Sequence, residues 1–110
     1  MYLNQTEPKP VLLSGWSAAE GVSGKPDDGY SIYMDVKLKD GSYSYANSLQ
    51  FETGTHSWQR LCMVLEFEGK LIESVHVFVL FSEHSGSIYV DDLALLELSR
   101  SLPIYALLIF

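Results

Sequence analysis

The chain has 110 residues, which suits one domain and leaves no room for two. Apolar residues make up 47% of it, enough for a packed core, and 14 acidic residues against 7 Lys and Arg give a formal net charge of -7. Phosphate binding depends on clustered Lys and Arg, so this balance predicts no nucleic-acid partner and disfavours anionic membrane surfaces. It is compatible with neutral sugars, with cations and with protein partners.

Alternation of apolar and polar residues runs through the chain, and no long stretch has helical periodicity. In Tyr30–Lys39 every second residue is apolar, and the Asp40-Gly41 pair that follows predicts a hairpin turn. Many short strands joined by turns are typical of a β-sandwich or a barrel. We predict seven strands: Tyr2–Thr6, Val11–Gly21, Tyr30–Lys39, Tyr43–Glu52, Trp58–Glu68, Lys70–Ser82 and Ser85–Leu98.

The domain pattern covers residues 1–98, and residues 99–110 form an apolar tail that begins where the pattern stops. The tail is shorter than the about 20 apolar residues of a membrane-spanning helix, so we expect no transmembrane segment. The first ten residues lack the pattern of a signal peptide, so we expect an extracellular location only if the domain belongs to a longer secreted parent. Cys62, the single cysteine, lies in an apolar run and is expected in the core.

Three segments in order carry a resemblance to a known family: LLSGWSAAEGVSG, FETGTHSWQRLCMVL and SVHVFVLFSEHSGSIYVDDLALLEL. The most specific piece is a Ser-Gly loop followed by aromatic, apolar, Asp-Asp, apolar residues at Ser85–Leu95. Together these segments resemble the jelly-roll carbohydrate-binding modules of the broad family 4, 9 and 22 type, which have a galactose-binding-like β-sandwich. The resemblance covers roughly residues 4–98.

The resemblance implies an all-β fold, an antiparallel β-sandwich of two sheets with jelly-roll topology. It also implies a non-catalytic, extracellular, glycan-binding module that often holds a structural calcium ion. By position, the calcium ligands carry over to Asp91 first and Asp92 second, with Glu7 as a speculative third. Both faces of this strand are largely apolar, so we expect at least one of the two carboxylates near buried surface, where a cation or a hydrogen-bonded cap would stabilise it.

Aromatic residues are the candidates for sugar binding, because the C–H faces of sugars stack on aromatic rings. The polar partners we expect are Asp35, Asn47 and Gln50. The alternative is ordinary cross-strand packing of the tyrosines. Trp58 is expected to pack in the core. The candidate rings are Tyr33, Tyr43, Tyr45 and Trp16.

No sequence pattern of an active site is present: there is no Gly-x-Ser-x-Gly elbow, no zinc-ligand spacing and no phosphate-binding glycine loop. We therefore predict that the protein is not an enzyme. The leading hypothesis is glycan or polysaccharide binding by an aromatic surface. The alternative is a protein-interaction or structural β-sandwich with no sugar site, in which the apolar tail contacts a protein partner.

Overall fold

The computed structural model describes residues 1–98, and all of its strands pair antiparallel. The tail, for which contact with a protein partner was only the alternative hypothesis, lies outside the described residues. The first strand, predicted at Tyr2–Thr6, is reduced to a single bridge between Tyr2 and Ser74. Six strands are formed: β1 (Val11–Val22), β2 (Tyr30–Leu38), β3 (Tyr43–Gln50), β4 (Gly54–Leu65), β5 (Ile72–Phe81) and β6 (Ser87–Glu97).

The strands form two three-stranded sheets. Sheet I has the order β4-β1-β6, and sheet II has the order β3-β2-β5. The predicted all-β class and β-sandwich are confirmed, whereas the jelly-roll connectivity stays a prediction. Within residues 1–98 no helix is long and apolar enough to cross a membrane.

The core lies between the sheets and follows the alternation in the sequence. Every second residue of β2, from Tyr30 to Leu38, is buried, while the residues between them, except Ser31, are only half-buried. Sheet I contributes Val11, Leu13 and Ala19 from β1. Each residue buried in this way contributes roughly 1.5–3 kcal/mol relative to an exposed side chain, so the two central strands carry much of the stability.

Both sheets meet at a buried polar contact near one end of the sandwich. The hydroxyl groups of Ser17 in β1 and Tyr30 in β2 are 2.5 Å apart, and Ser17 Oγ also donates to the carbonyl of Tyr89. The Tyr30 ring packs on Phe51 and against Phe81, with centroid distances of 4.9 and 5.7 Å. Burial raises the pKa of the Tyr30 hydroxyl, so the group stays protonated and available for this contact.

The strand that carries the most specific sequence pattern, β6, does not alternate strictly. Tyr89 and Asp91 pair with residues on the outer face of β1, but the register shifts at the next step, where Asp92 has a positive φ of 53°. After this bulge Leu95 packs against the core, while Leu93 lines an open groove and is 42% exposed. Strict alternation along the strand would put Asp91 and Leu93 on one face, and the bulge places them on opposite faces because it inserts one residue between them.

Candidate functional site

The outer face of sheet II, which points away from the core, brings together three of the predicted binding residues. Asp35 from β2 and the tyrosines Tyr43 and Tyr45 from β3 border one cavity of about 240 Å³. The cavity lies over the β2–β3 hairpin and the neighbouring part of β5. Its lining is mixed: Tyr2, Asp35, Lys37, Tyr43, Tyr45, Glu73, Ser74 and His76.

The two tyrosines lie side by side because they are two residues apart on β3 and share its outer face, and the strand bulges directly after them. Their rings are parallel within 1° with centroids 5.2 Å apart. Ala46, which follows, has a φ of 59°, and its N–H donates a 2.9 Å hydrogen bond to Asp35 Oδ1. The register between β2 and β3 shifts at the same point, between Met34 and Val36. Asp35 therefore stabilises the bulge that orients the tyrosine pair.

The two rings differ in how much surface they offer. Tyr43 is 50% exposed and has the Lys37 ammonium over its ring, 5.9 Å from the centroid. Tyr45 is 65% exposed. Tyr43 thus already has two neighbours, and Tyr45 is the ring with most of its surface free for a ligand.

The charged groups of the cavity largely neutralise one another. Lys37 Nζ lies 3.0 Å from Glu73 Oε2 on the adjacent strand. The hydrogen bond with Glu73 is the main cause that raises the pKa of Lys37, so Lys37 stays charged at neutral pH. Asp35 adds a further carboxylate. Among the described residues that line the cavity, Lys37 is the only Lys or Arg, and its ion pair with Glu73 reduces its attraction for an anionic ligand.

Tyr33 lies on the same face but packs away from the tyrosine pair. Its ring meets Phe78 edge to face with a centroid distance of 5.8 Å, and Phe78 in turn meets His76 at 6.4 Å. Desolvation, followed by the nearby Asp35, raises the pKa of Tyr33. The row of Tyr33, Phe78 and His76 leads to the cavity, but Tyr33 does not line it.

The two predicted amide partners point elsewhere. Asn47 pairs with core-facing Met34, and its Nδ2 donates to backbone oxygens of Met34 and Ser44 at 3.3 and 3.2 Å. Gln50 Nε2 donates to Asp28 Oδ1 at 3.2 Å, at the far end of β3. Both amides hold the chain in place, and neither lines the cavity.

Trp16 lies in sheet I and is not brought near the tyrosines. It shares the outer face of that sheet with Trp58 and Tyr89, and Arg60 and Asp91 are its register partners on the neighbouring strands. The expectation that Trp58 is in the core is wrong: it is 49% exposed, because it lies two residues from Arg60 on the same outer face of β4. Cys62 is half-buried and does not belong to the core cluster either.

The cavity also contains residues that the sequence analysis did not single out. His76 and Lys37 follow from the alternation of their strands, since both neighbour core-facing valines. Tyr2 and Glu73 do not follow from any local pattern. They reach the cavity because residues 1–5 pair with the start of β5, through bonds such as Leu3 N–H to the Glu73 carbonyl at 2.9 Å.

The predicted calcium ligands lie on the exposed part of β6. The side chains of Asp91 and Asp92 are both exposed, and the Asp92 N–H donates to Asp91 Oδ1 at 2.9 Å. The expected burial of one carboxylate is therefore wrong, because the bulge turns both toward solvent. Glu7 is linked through Lys9 to Glu97, six residues along the strand from Asp91.

Among residues 1–98 no group of three or more His, Cys, Asp or Glu side chains is spaced to hold a metal ion. Calcium binding at Asp91 and Asp92 remains a prediction.

A second, more apolar groove of about 450 Å³ lies between the inner parts of β5 and β6. Val75 and Val77 line one side and Leu93 and Leu95 the other, with Met1 at one end. The groove is open because β5 and β6 are both edge strands of their sheets. It has none of the paired charges of the cavity on sheet II.

Comparison of the chain with protein-family models, with curated proteins and with solved structures gives no match.

Proposed function

We propose that the outer face of sheet II binds a glycan without cleaving it, as a carbohydrate-binding domain. The observation that carries the proposal is the tyrosine pair beside a cavity with polar walls. Tyr45 offers a ring for stacking on a sugar, and Asp35, Glu73 and Ser74 offer hydrogen-bond acceptors or donors to its hydroxyl groups. Apolar ring surface with a few polar groups around it is the usual composition of a small-ligand site.

The charges of the cavity favour a neutral glycan. Lys37 is paired with Glu73, Asp35 is a further negative charge, and the whole chain has a net charge of -7. An anionic glycan would meet unfavourable electrostatics at close range. We therefore expect neutral polysaccharides to bind better than those that contain uronic or sialic acids.

The two carboxylates of the cavity are engaged in structural contacts, which supports binding rather than hydrolysis. Asp35 accepts the Ala46 N–H, and Glu73 is paired with Lys37. Hydrolysis of a glycosidic bond uses two carboxyl groups on opposite sides of the scissile bond, one of them free to donate a proton. The contacts of both residues therefore support binding without cleavage.

Affinity electrophoresis against a panel of neutral and acidic polysaccharides tests the proposal. We expect retardation by at least one neutral polysaccharide, and roughly tenfold weaker binding, or about 1.4 kcal/mol, for the Tyr45→Ala variant. Trp58→Ala is the matched control, because Trp58 is also about half exposed but lies on the other sheet.

Three outcomes bear on the competing explanation, a β-sandwich whose tyrosines only stabilise the hairpin. No retardation by any polysaccharide, or an equal loss in both variants, would contradict the proposal. A selective loss in Tyr45→Ala, with the far-ultraviolet circular dichroism and melting temperature of both variants unchanged, would support it. The melting temperatures are needed because cross-strand tyrosine packing alone also contributes to stability.

A further inference from the structure

Two connections that cross between the sheets meet at one end of the sandwich. The β1–β2 connection, residues 23–29, leads from sheet I to sheet II, and the β5–β6 connection, residues 82–86, leads back. Backbone bonds join them: Ser23 N–H donates to the Ser85 carbonyl at 3.1 Å, and Ser82 N–H donates to the Gly29 carbonyl at 2.7 Å. These crossovers hold the two sheets together at this end.

The His84 side chain lies between the two connections, and only 3% of it is exposed. Its ring stacks on Phe81 with a centroid distance of 6.3 Å. On the other side it lies against Gly29, where an added Cβ would be 3.1 Å from His84 Cδ2 and 2.4 Å from the Ser82 carbonyl oxygen. The ring therefore fits a slot that only a glycine leaves open.

Both ring nitrogens of His84 face atoms that can only accept hydrogen bonds. Nδ1 lies 2.5 Å from the Ser23 carbonyl oxygen, and Nε2 lies 2.7 Å from Asp27 Oδ1. A neutral imidazole has one N–H and would direct the lone pair of its other nitrogen at an oxygen. The imidazolium form donates to both, so the arrangement requires the charged ring.

From this geometry we infer that His84 is a pH-dependent clip: the protonated ring ties the two crossovers together, and its deprotonation as the pH rises releases them. Loss of the proton breaks one of the two hydrogen bonds of the ring. It leaves the lone pair of that nitrogen facing an oxygen in a closed slot. The clip is independent of the glycan site.

The charged groups around the His84 ring also favour its protonated form. The Asp27 hydrogen bond is the main cause that raises the pKa of His84 above its usual 6.5, and the Ser23 carbonyl and Glu83 add to it. In return, the hydrogen bond with His84 lowers the pKa of Asp27. Asp28 in the same connection accepts from Ser48 and Gln50 instead. Within residues 1–98, Lys25 takes part in no ion pair.

The sign of the pH dependence follows from the direction of these shifts. Because the pKa of His84 is higher in the folded state, its stabilisation is fully present below pH 6.5 and is lost as the pH rises through the folded-state pKa. The contribution of Asp27 is present above pH 3.8 and is lost as the pH falls through its lowered pKa. The clip is strongest between these two limits.

The melting temperature of the full chain, followed from pH 5 to pH 9, tests the clip. We expect it to decrease above pH 6.5, and we expect the His84→Gln and Asp27→Asn variants to lose most of this decrease. His76→Gln is the matched control, because His76 is exposed on β5, and it should keep the wild-type pH profile.

Titration of the wild-type histidine rings by NMR is a second test, which does not depend on whether His84→Gln folds. We expect the pKa of His84 to be above 6.5 and to fall in Asp27→Asn. A His84 ring that titrates at or below 6.5, or a pH profile of stability that is the same in Asp27→Asn and the wild type, would overturn the inference.

Discussion

The outer faces of the two sheets both expose aromatic side chains, yet they are organised differently. On sheet II, Tyr43 and Tyr45 are stacked beside a cavity with acidic, basic and hydroxyl groups. On sheet I, Trp16, Trp58 and Tyr89 are exposed, and within residues 1–98 none of them forms a pair with another ring. Exposed rings are therefore not enough to make a candidate site. The difference lies in the hairpin: β3 carries two tyrosines two residues apart on one face, and the bulge that follows them is held by Asp35.

The prediction with the largest expected effect tests whether the two sheets, whose outer faces differ, share one core. Ile32→Ala in sheet II and Leu13→Ala in sheet I each remove a buried side chain, and we expect each to lower the free energy of unfolding by about 2–5 kcal/mol. Leu96→Ala on the exposed face of β6 is the control, with an expected change within about 0.5 kcal/mol. Urea unfolding measures all three. If only one of the two buried substitutions were costly, the sheets would not depend on a common core.

A smaller change in stability is expected from glycine substitutions at the bulges of the two sheets. Ala46 in β3 and Asp92 in β6 both have positive φ, of 59° and 53°. Glycine adopts this conformation without the strain of a Cβ, so we expect Ala46→Gly to stabilise the protein by about 1 kcal/mol. Asp92→Gly should stabilise the protein by less, because Asp tolerates the left-handed region better than Ala.

Ala18→Gly is the matched control for the bulge comparison, because Ala18 also lies within a strand, β1, but its own φ is not positive. It should cost about 0.5–1 kcal/mol, measured by the same unfolding experiment. A loss of stability in Ala46→Gly would show that the β3 bulge is not strained as described.

The smallest effect concerns the position of Trp58. In the Trp16→Phe variant Trp58 is the only tryptophan, so its fluorescence can be read alone. We expect emission typical of a solvent-exposed indole and efficient quenching by acrylamide, since the residue is 49% exposed. A further Trp58→Phe substitution, judged by urea unfolding, should change stability by no more than about 0.5 kcal/mol. Weak quenching would place the ring in the core.

Local patterns in the sequence predicted the strands well, because alternation reports which side of a strand is buried. The alternation in Tyr30–Lys39 and the Asp40-Gly41 turn both appear in the structure as expected, with Gly41 N–H donating to the Leu38 carbonyl at 3.0 Å. The grouping of Asp35, Tyr43 and Tyr45 also follows from this one hairpin, whose two strands are adjacent in sequence.

The other side-chain positions could not be predicted, because they depend on features that leave no local pattern in the sequence. The bulge in β6 places Leu93 on the opposite face from Asp91, and one inserted residue reverses every later assignment in the strand. The separation of Trp16 from the tyrosines depends on which strands share a sheet, and β1 pairs only with strands far along the chain. Alternation within one segment carries no information about such pairing.

The strand order also bears on how the protein is made. Sheet II contains the β2–β3 hairpin, whose strands are adjacent in the chain, so the hairpin can form soon after β3 has left the ribosome. The central strand of sheet I, β1, is synthesised before β4 and β6, so Val11 cannot pair with Glu97 until β6 has been made. During translation the tyrosine-bearing hairpin can therefore exist before the opposite sheet is complete, and sheet I closes only when β6 emerges. Until β6 emerges, the exposed edge of β1 is the part of the nascent chain most open to wrong pairing.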